Sequence, residues 1–274
     1  MITKLDVTSA QGGFLSLSLQ NAFTSFPVQE IDGIYPVKAT LVSTVFAQQN
    51  GARFQSSKRE PRDIRLTLGL EPNWAGGETV AQLRRQLYDT LIPESAVLLE
   101  FTQSDGPEVE IAGVVESCEA PIFTKDPTAT VVIRCFDPDF IDPIVAVLEE
   151  ETVADTTMTS FVYPGTVETG YVFKLMVNRT ISDFTIYHTT ADGIPRQMLV
   201  SADLLSGDVV TISTVSGDKF ATLTRAAADS SILYAVAPQA DWSQLTRGIN
   251  QFRVQLSGAP IPYTLEYLRK YGGL

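Results

Sequence analysis

VTISTVSGDKFATLTR, residues 210–225, alternates apolar and polar side chains on either side of a turn at Val215–Asp218, where Gly217 is free to take a positive φ. This is a β-hairpin, and the segments around it carry the same period-2 signal. Strands are expected at 170–178, 181–189, 196–200, 208–214, 218–224, 231–236 and 250–256, with almost no helical period between them. Seven short strands in sequence predict a β-sandwich for the second half of the chain.

Further upstream, strand signals recur at 14–19, 37–46, 63–70, 97–102, 109–117 and 130–136. One segment breaks the pattern. In TVAQLRRQLYDTLIP, Val80, Leu83, Leu87 and Leu91 fall on one helical face, Thr79 and Gln82 have the spacing of a capping box, and Pro93 ends the run. Between the last two strands, APIFTKDPTA reads as a hairpin loop turning at Asp126-Pro127. That register sets Cys118 opposite Cys135, Ala120 opposite Ile133 and Ile122 opposite Val131 on one apolar face. FDPDFIDPIV, residues 136–145, looks like the end of a first domain, and an acidic, Thr-rich stretch at 148–170 follows it. The expected organisation is mainly β: a domain over 1–142 with one α-helix, then a second over 143–274.

With 274 residues, 44% hydrophobic and 19% charged, the chain has the composition of a globular protein with a full core. Its formal charge of -12 repels nucleic-acid phosphates, and acidic residues outnumber basic ones in both halves. DNA meeting this surface would slide rather than stick. No apolar run approaches a membrane span and the N-terminus has no secretory pattern, so folding in a cytoplasm and no membrane partner are expected. The two cysteines lack any metal or redox spacing and read as core thiols.

Residues for catalysis are scarce. His188 is the only histidine, sits at a strand end and has no serine or cysteine partner near it in sequence, so neither a hydrolase triad nor a His-rich zinc site is expected. Asp137, Asp139 and Asp142 alternate with prolines as turn residues do and lack calcium-loop spacing. Asn178-Arg179-Thr180 matches the glycosylation pattern by chance. No phosphate loop or dinucleotide fingerprint follows any strand, so no catalytic, cofactor or metal residue is assigned.

PRDIRL at 61–66, RRQLYDTLIP at 84–93, EIAGVVES at 110–117, CFDPDF at 135–140, WSQLTRGINQF at 242–252 and the terminal EYLRKYGGL occur in an order that resembles the distal tail protein (Dit) family of long-tailed phages with non-contractile tails. The resemblance implies an N-terminal tail-tube-like β-sandwich with one helix and a C-terminal galectin-like β-sandwich. It also implies a structural virion protein of the siphophage tail tip, a homo-hexamer in ring form. Such a ring joins the tail tube protein to the baseplate hub, and genome DNA passes through its lumen without specific binding. It supplies no catalytic residues. The alternative is a carbohydrate-binding, host-adsorption protein using the galectin-like domain, with Trp242 as the candidate aromatic platform, although it is better explained as a core anchor.

GARFQSSKREPRDIRLTLGL, residues 51–70, remains to be explained, because it places Arg53, Lys58, Arg59, Arg62 and Arg65 in thirteen positions of an acidic protein. Residues 47–61 are expected to be a long polar loop, or an arm that reaches an adjacent subunit. Arg53, Lys58, Arg59 and Arg62 are the expected subunit-interface residues, meeting acids such as Glu108, Glu110, Glu116 and Glu119 of the neighbour.

Overall fold

A computed structural model describes all residues except 22, 48–49, 73–77 and 123. The chain divides into two compact units, Met1–Pro143 together with Tyr271–Leu274, and Ile144–Lys270. The last four residues therefore belong with the first unit, not with the second as the sequence reading had it. The cause is a hydrogen-bonded seat: the Arg62 guanidinium donates to the Gly272 carbonyl at 2.6 Å, and the Leu274 amide donates to the Ile34 carbonyl at 3.0 Å.

Among the described residues the first unit includes one helix and the strands that follow: β1 (Ile2–Ser9), β2 (Phe14–Ser18), β3 (Val28–Asp32), β4 (Ala39–Thr44), β5 (Arg53–Arg59), β6 (Arg62–Gly69), α1 (Val80–Thr90), β7 (Ala96–Gln103), β8 (Val109–Glu119), β9 (Thr128–Cys135) and β10 (Phe140–Ile141), which also pairs with the short strand Lys270–Tyr271. An antiparallel ladder runs β2-β1-β7-β8-β9-β6-β3, with β10 pairing beside β8. Its inward residues alternate as a half-buried sheet requires: Ile64, Leu66 and Leu68 of β6 and Val131 and Ile133 of β9 are fully buried. Thr79 and Gln82 cap α1 as a reciprocal box, and Leu83, Leu87 and Leu91 are buried in the same core. Each such leucine contributes ~2 kcal/mol by leaving water.

The β8–β9 hairpin departs from its expected register. Cys118 lies opposite Val131 and Glu119 opposite Thr130, because the hairpin turns earlier than Asp126-Pro127; an irregularity between Val115 and Ser117 also inserts one extra residue into β8. Cys135 pairs instead with Arg62 of β6, and its sulfur lies beside Gly113, where an added Cβ would stand 3.0 Å from Sγ. Ala120 is buried as expected, but Ile122 is 69% exposed. Both cysteines are free thiols, and burial pushes their pKa up, Cys118 to about 11 and Cys135 to about 12. They are core groups, not nucleophiles.

The second unit comprises β11 (Ala146–Glu151), β12 (Thr159–Tyr163), β13 (Tyr171–Met176), β14 (Ile181–Thr189), β15 (Pro195–Leu204), β16 (Val209–Ser213), β17 (Phe220–Arg225), β18 (Ala228–Ser231), β19 (Gly248–Gln255) and β20 (Pro262–Tyr267). Two sheets, β11-β20-β13-β16-β17-β18 and β12-β19-β14-β15, bury one shared core, with Phe173 and Ile212 from the first meeting Phe184 and Phe252 from the second. The opening hairpin forms as read: Ser213 pairs with Phe220, the Asp218 amide donates to the Val215 carbonyl, and Gly217 has φ +85°. The strand expected at 231–236 is instead β18 followed by a short 3₁₀ turn at Leu233–Ala235. A two-residue turn at Ala226-Ala227, both at positive φ, brings β18 back against β17 earlier than the apolar pattern suggested. The acidic stretch after residue 145 is also partly ordered, as β11 and β12.

Candidate assembly interface

Part of the segment expected as a long loop or arm is strand. Arg53–Arg59 is a strand, and β4 and β5 pair only with each other, outside the main sheet. Every residue of β5 is exposed, as are the middle four of β4. Cross-strand register, with a bulge between Val42 and Ser43, puts Leu41, Ser43 and Phe54 along one face and Thr40, Val42, Lys58 and Arg53 along the other. Leu41 is 67% exposed, Phe54 60% and Val45, just past β4, 72%. A lone two-stranded ribbon is marginal in water, and apolar side chains standing this far out mark a surface built to be covered.

The four expected interface residues divide into two pairs. Arg53 and Lys58 project from the arm. Arg59, exposed but tied to the body of the unit, and Arg62, buried in it, form the arm's anchor. Arg59 grips Asp139 with both guanidinium nitrogens, the second bond 2.8 Å long, and the Asp139 side chain is only 4% exposed. Arg62 is 1% exposed and cannot face a neighbour. Its Nε donates to the Pro138 carbonyl at 2.9 Å, Nη1 to those of Gly33 and Tyr35 at 2.5 and 2.7 Å, and Nη2 to that of Gly272. The guanidinium also stacks 4.4 Å from the Phe140 ring centre, and Phe140 packs edge-on against Phe101. Burial pulls the Arg62 pKa down, yet a guanidinium starts high enough to stay charged. Sequence reasoning counted Arg62 as surface because cations seldom go inside. The buried alternation of β6, in which Arg62 precedes Ile64 and Leu66, was the signal that it does.

PRDIRL and CFDPDF thus meet in one knot below the arm. Of the three aspartates in that region, Asp139 binds Arg59, Asp137 accepts the Asp139 amide at 3.2 Å, and Asp142 is buried. Among the described residues no acidic or His/Cys cluster could hold a metal. The acids expected to receive the arm's cations lie on β8 or just before it. Glu110 faces Glu100, which faces Asp6, so three carboxylates form one row across β8, β7 and β1. Partial burial, and then Glu100, raise the Glu110 pKa.

In the second unit, WSQLTRGINQF wraps the single histidine. His188 is 1% exposed, with Nδ1 2.9 Å from Ser243 Oγ and Nε2 3.1 Å from Asn250 Oδ1. Asn250 donates through Nδ2 to the carbonyls of Thr246 and Gly248 and accepts the Thr246 amide at Oδ1, which fixes the orientation of its amide. His188 Nε2 must then be the donor and, in the neutral ring, Nδ1 the acceptor of the Ser243 hydroxyl. Tyr171 Oη lies 3.2 Å from Ser243 Oγ and supplies the proton that Ser243 accepts. The arrangement has the residue types of a hydrolase triad, but all its members are buried. It is a structural plug. Its serine partner comes from 55 positions away, beyond what proximity in sequence reveals. Trp242 is partly buried and packs against the second core, as an anchor does.

Residues 164–271 match the family described as siphovirus-type tail component, C-terminal domain. Among solved structures, the crystal structure of the SPP1 Dit protein (gp 19.1), described as a paradigm of the hub adsorption apparatus in phages that infect Gram-positive bacteria, resembles the chain with a TM-score of 0.67. The two are 16% identical, over 97% of this chain and 98% of that one. The baseplate of phage P2 in its calcium-activated conformation contains a chain with a TM-score of 0.45 and 8% identity, over the full length of both. No curated protein matches by sequence. The family match bears out the resemblance read from the C-terminal motifs, and the SPP1 likeness shows the same fold across both units.

Proposed function

We propose that this chain, a distal-tail-type protein with a siphovirus tail component domain at residues 164–271, is a structural adaptor of the virion's tail tip. Identical copies close into a hexameric ring that joins the tail tube protein to the baseplate hub and leaves a channel for the genome. The protein works through interfaces, without catalysis or cofactor. The first unit, as a tail-tube-like domain, forms the ring, and the second unit is a galectin-like domain. The observation that carries this reading is the β4–β5 arm, an exposed ribbon with an uncovered apolar face and a firm anchor at its base.

The arm of one copy reaches the next. Residues 39–59 hold Arg53, Lys58 and Arg59 and no acid, in a chain of net charge -12, so copies that repel elsewhere attract here. Magnitudes separate the two contributions. Each exposed ion pair adds ~0–1 kcal/mol, whereas covering Leu41, Val45 and Phe54 adds ~1–2 kcal/mol each. Apolar contact therefore supplies the affinity, and the charges set register and exclude wrong pairings. Repeating one head-to-tail contact closes a ring, and an acidic lumen lets phosphates slide.

Light scattering and negative-stain images of the protein co-expressed with its tube and hub partners test this. Sixfold rings are expected for the native chain. Leu41→Ser with Phe54→Ser should weaken assembly by about two orders of magnitude at unchanged folding, and Arg53→Glu with Lys58→Glu should weaken it less and in a salt-dependent way. A double apolar variant that assembles like the native chain would overturn the arm's role, and a native chain found only as single copies in virions would overturn the ring.

A further inference from the structure

Asn50-Gly51 lies at the tip of the arm, beyond Thr44–Arg53, the last pair of its ladder. Of the five asparagines, at 21, 50, 73, 178 and 250, it is the one followed by glycine. Asn178 is tied to the Pro260 carbonyl and Asn250 is buried. Asn50 and Gly51 are both exposed, and among the described residues neither the Asn50 side chain nor the Gly51 amide has a hydrogen-bond partner. With Phe46, Ala52 and Arg53 they line an open hollow of about 410 Å³.

We propose that Asn50-Gly51 is a spontaneous deamidation site that changes the charge of the arm with time. Electrophile and nucleophile are adjacent, unhindered by any side chain on residue 51 and unrestrained by competing bonds. The Gly51 backbone nitrogen, losing its proton to solvent base, attacks Asn50 Cγ. The new N–Cγ bond forms as the Cγ–Nδ2 bond breaks, and the amide leaves as ammonia, giving a five-membered imide. Water then adds to either imide carbonyl and breaks its bond to nitrogen, leaving aspartate or isoaspartate. No electrons are exchanged, and water is the only co-reactant. The Arg53 guanidinium, lining the same hollow, favours the anionic nitrogen and the carboxylate product. The arm gains one negative charge at its tip, next to a cation that the proposed interface uses. That consequence rests on the assembly reading, while the chemistry does not.

The test uses the full chain, purified and incubated in mildly alkaline buffer. Intact mass should rise by about one mass unit, with peptide mapping placing the gain, as a mixture of aspartate and isoaspartate, at position 50. Asn50→Gln should slow the gain at least about tenfold, since the longer side chain must close a six-membered ring. No gain at position 50, or an equal rate in the variant, would overturn the site. Separately, Asn50→Asp should weaken ring assembly several-fold under conditions where the native chain assembles. Unchanged assembly of that variant would overturn the charge effect while leaving the deamidation site standing.

Discussion

Arg62→Ala is expected to cost the first unit at least about 4 kcal/mol and to lower its unfolding midpoint by about 10 °C or more. The substitution strands four carbonyls, those of Gly33, Tyr35, Pro138 and Gly272, in a place where water does not reach the side chain they were aimed at. Each orphaned acceptor costs ~1 kcal/mol or more, and the cavity beside Phe140 adds to that. The loss is spatially defined. Gly272 belongs to the terminal segment and Gly33 and Tyr35 to the lead-in to β4, so the tail and the arm should loosen together. Hydrogen exchange at the Leu274 amide, held by the Ile34 carbonyl, reports the first, and proteolysis at the arm reports the second. Arg62→Lys should recover only part of the stability, because an ammonium lacks the planar fork that reaches three directions. A midpoint within about 2 °C of the native value would show that the carbonyls find other donors and that the knot is not an anchor.

The sequence was legible wherever burial is one-sided. The helix with its Thr79–Gln82 box, the 210–225 hairpin and the alternation of β6 and β9 all face one core and one solvent, so periodicity reports them. It failed where that condition lapses. RFQSSKR at 53–59 has no buried face and hence no alternation to find, so the strand that makes the arm read as loop. The β8–β9 register failed for a different reason: Asp126-Pro127 was taken as the turn centre, whereas the Glu119–Thr130 pair places the centre earlier, and an extra residue near Glu116 adds a one-residue shift that no local residue preference announces. Of the four expected interface cations, Arg53 and Lys58 stand on the arm, whereas Arg59, still exposed, is tied to Asp139 and Arg62 is buried among four carbonyls, partners assembled from segments up to 210 positions away. His188 was read as a strand-end surface residue for the same reason, its partners lying 55 and 62 positions downstream.

Those partners make the second unit sensitive to acid. In the folded state His188 is held neutral: burial lowers its pKa first, the facing Arg196 of β15 adds to that, and the Asn250 bond and Asp192 oppose it. Unfolded, the ring titrates near 6.5. Because the folded value is the lower one, the unfolded chain binds the proton more readily between the two. The stability is complete above about pH 6.5 and is lost as pH falls from there through the folded pKa, by up to ~1.4 kcal/mol per pH unit. The structural reason is directional. A proton on Nδ1 turns an acceptor into a donor, so Ser243 must reverse and point its hydroxyl at Tyr171, whose own hydroxyl then loses its acceptor in a fully buried site. Denaturant unfolding of the second unit across this range should show the slope in the native chain and lose it in His188→Asn. This is the only histidine, so no other imidazole contributes. Glu110, with its pKa raised, acts in the opposite sense and in the other unit. The lowered carboxyls of Asp155, Asp192 and Asp208 add a loss of their own only as pH falls into the carboxylate range, below the imidazole's window. Asn250→Ala should cost more than the protonation does, about 3 kcal/mol, since it also abandons the Thr246 and Gly248 carbonyls and the Thr246 amide. A native slope that survives in His188→Asn would place the acid sensitivity elsewhere and leave the buried network a packing feature without a titration.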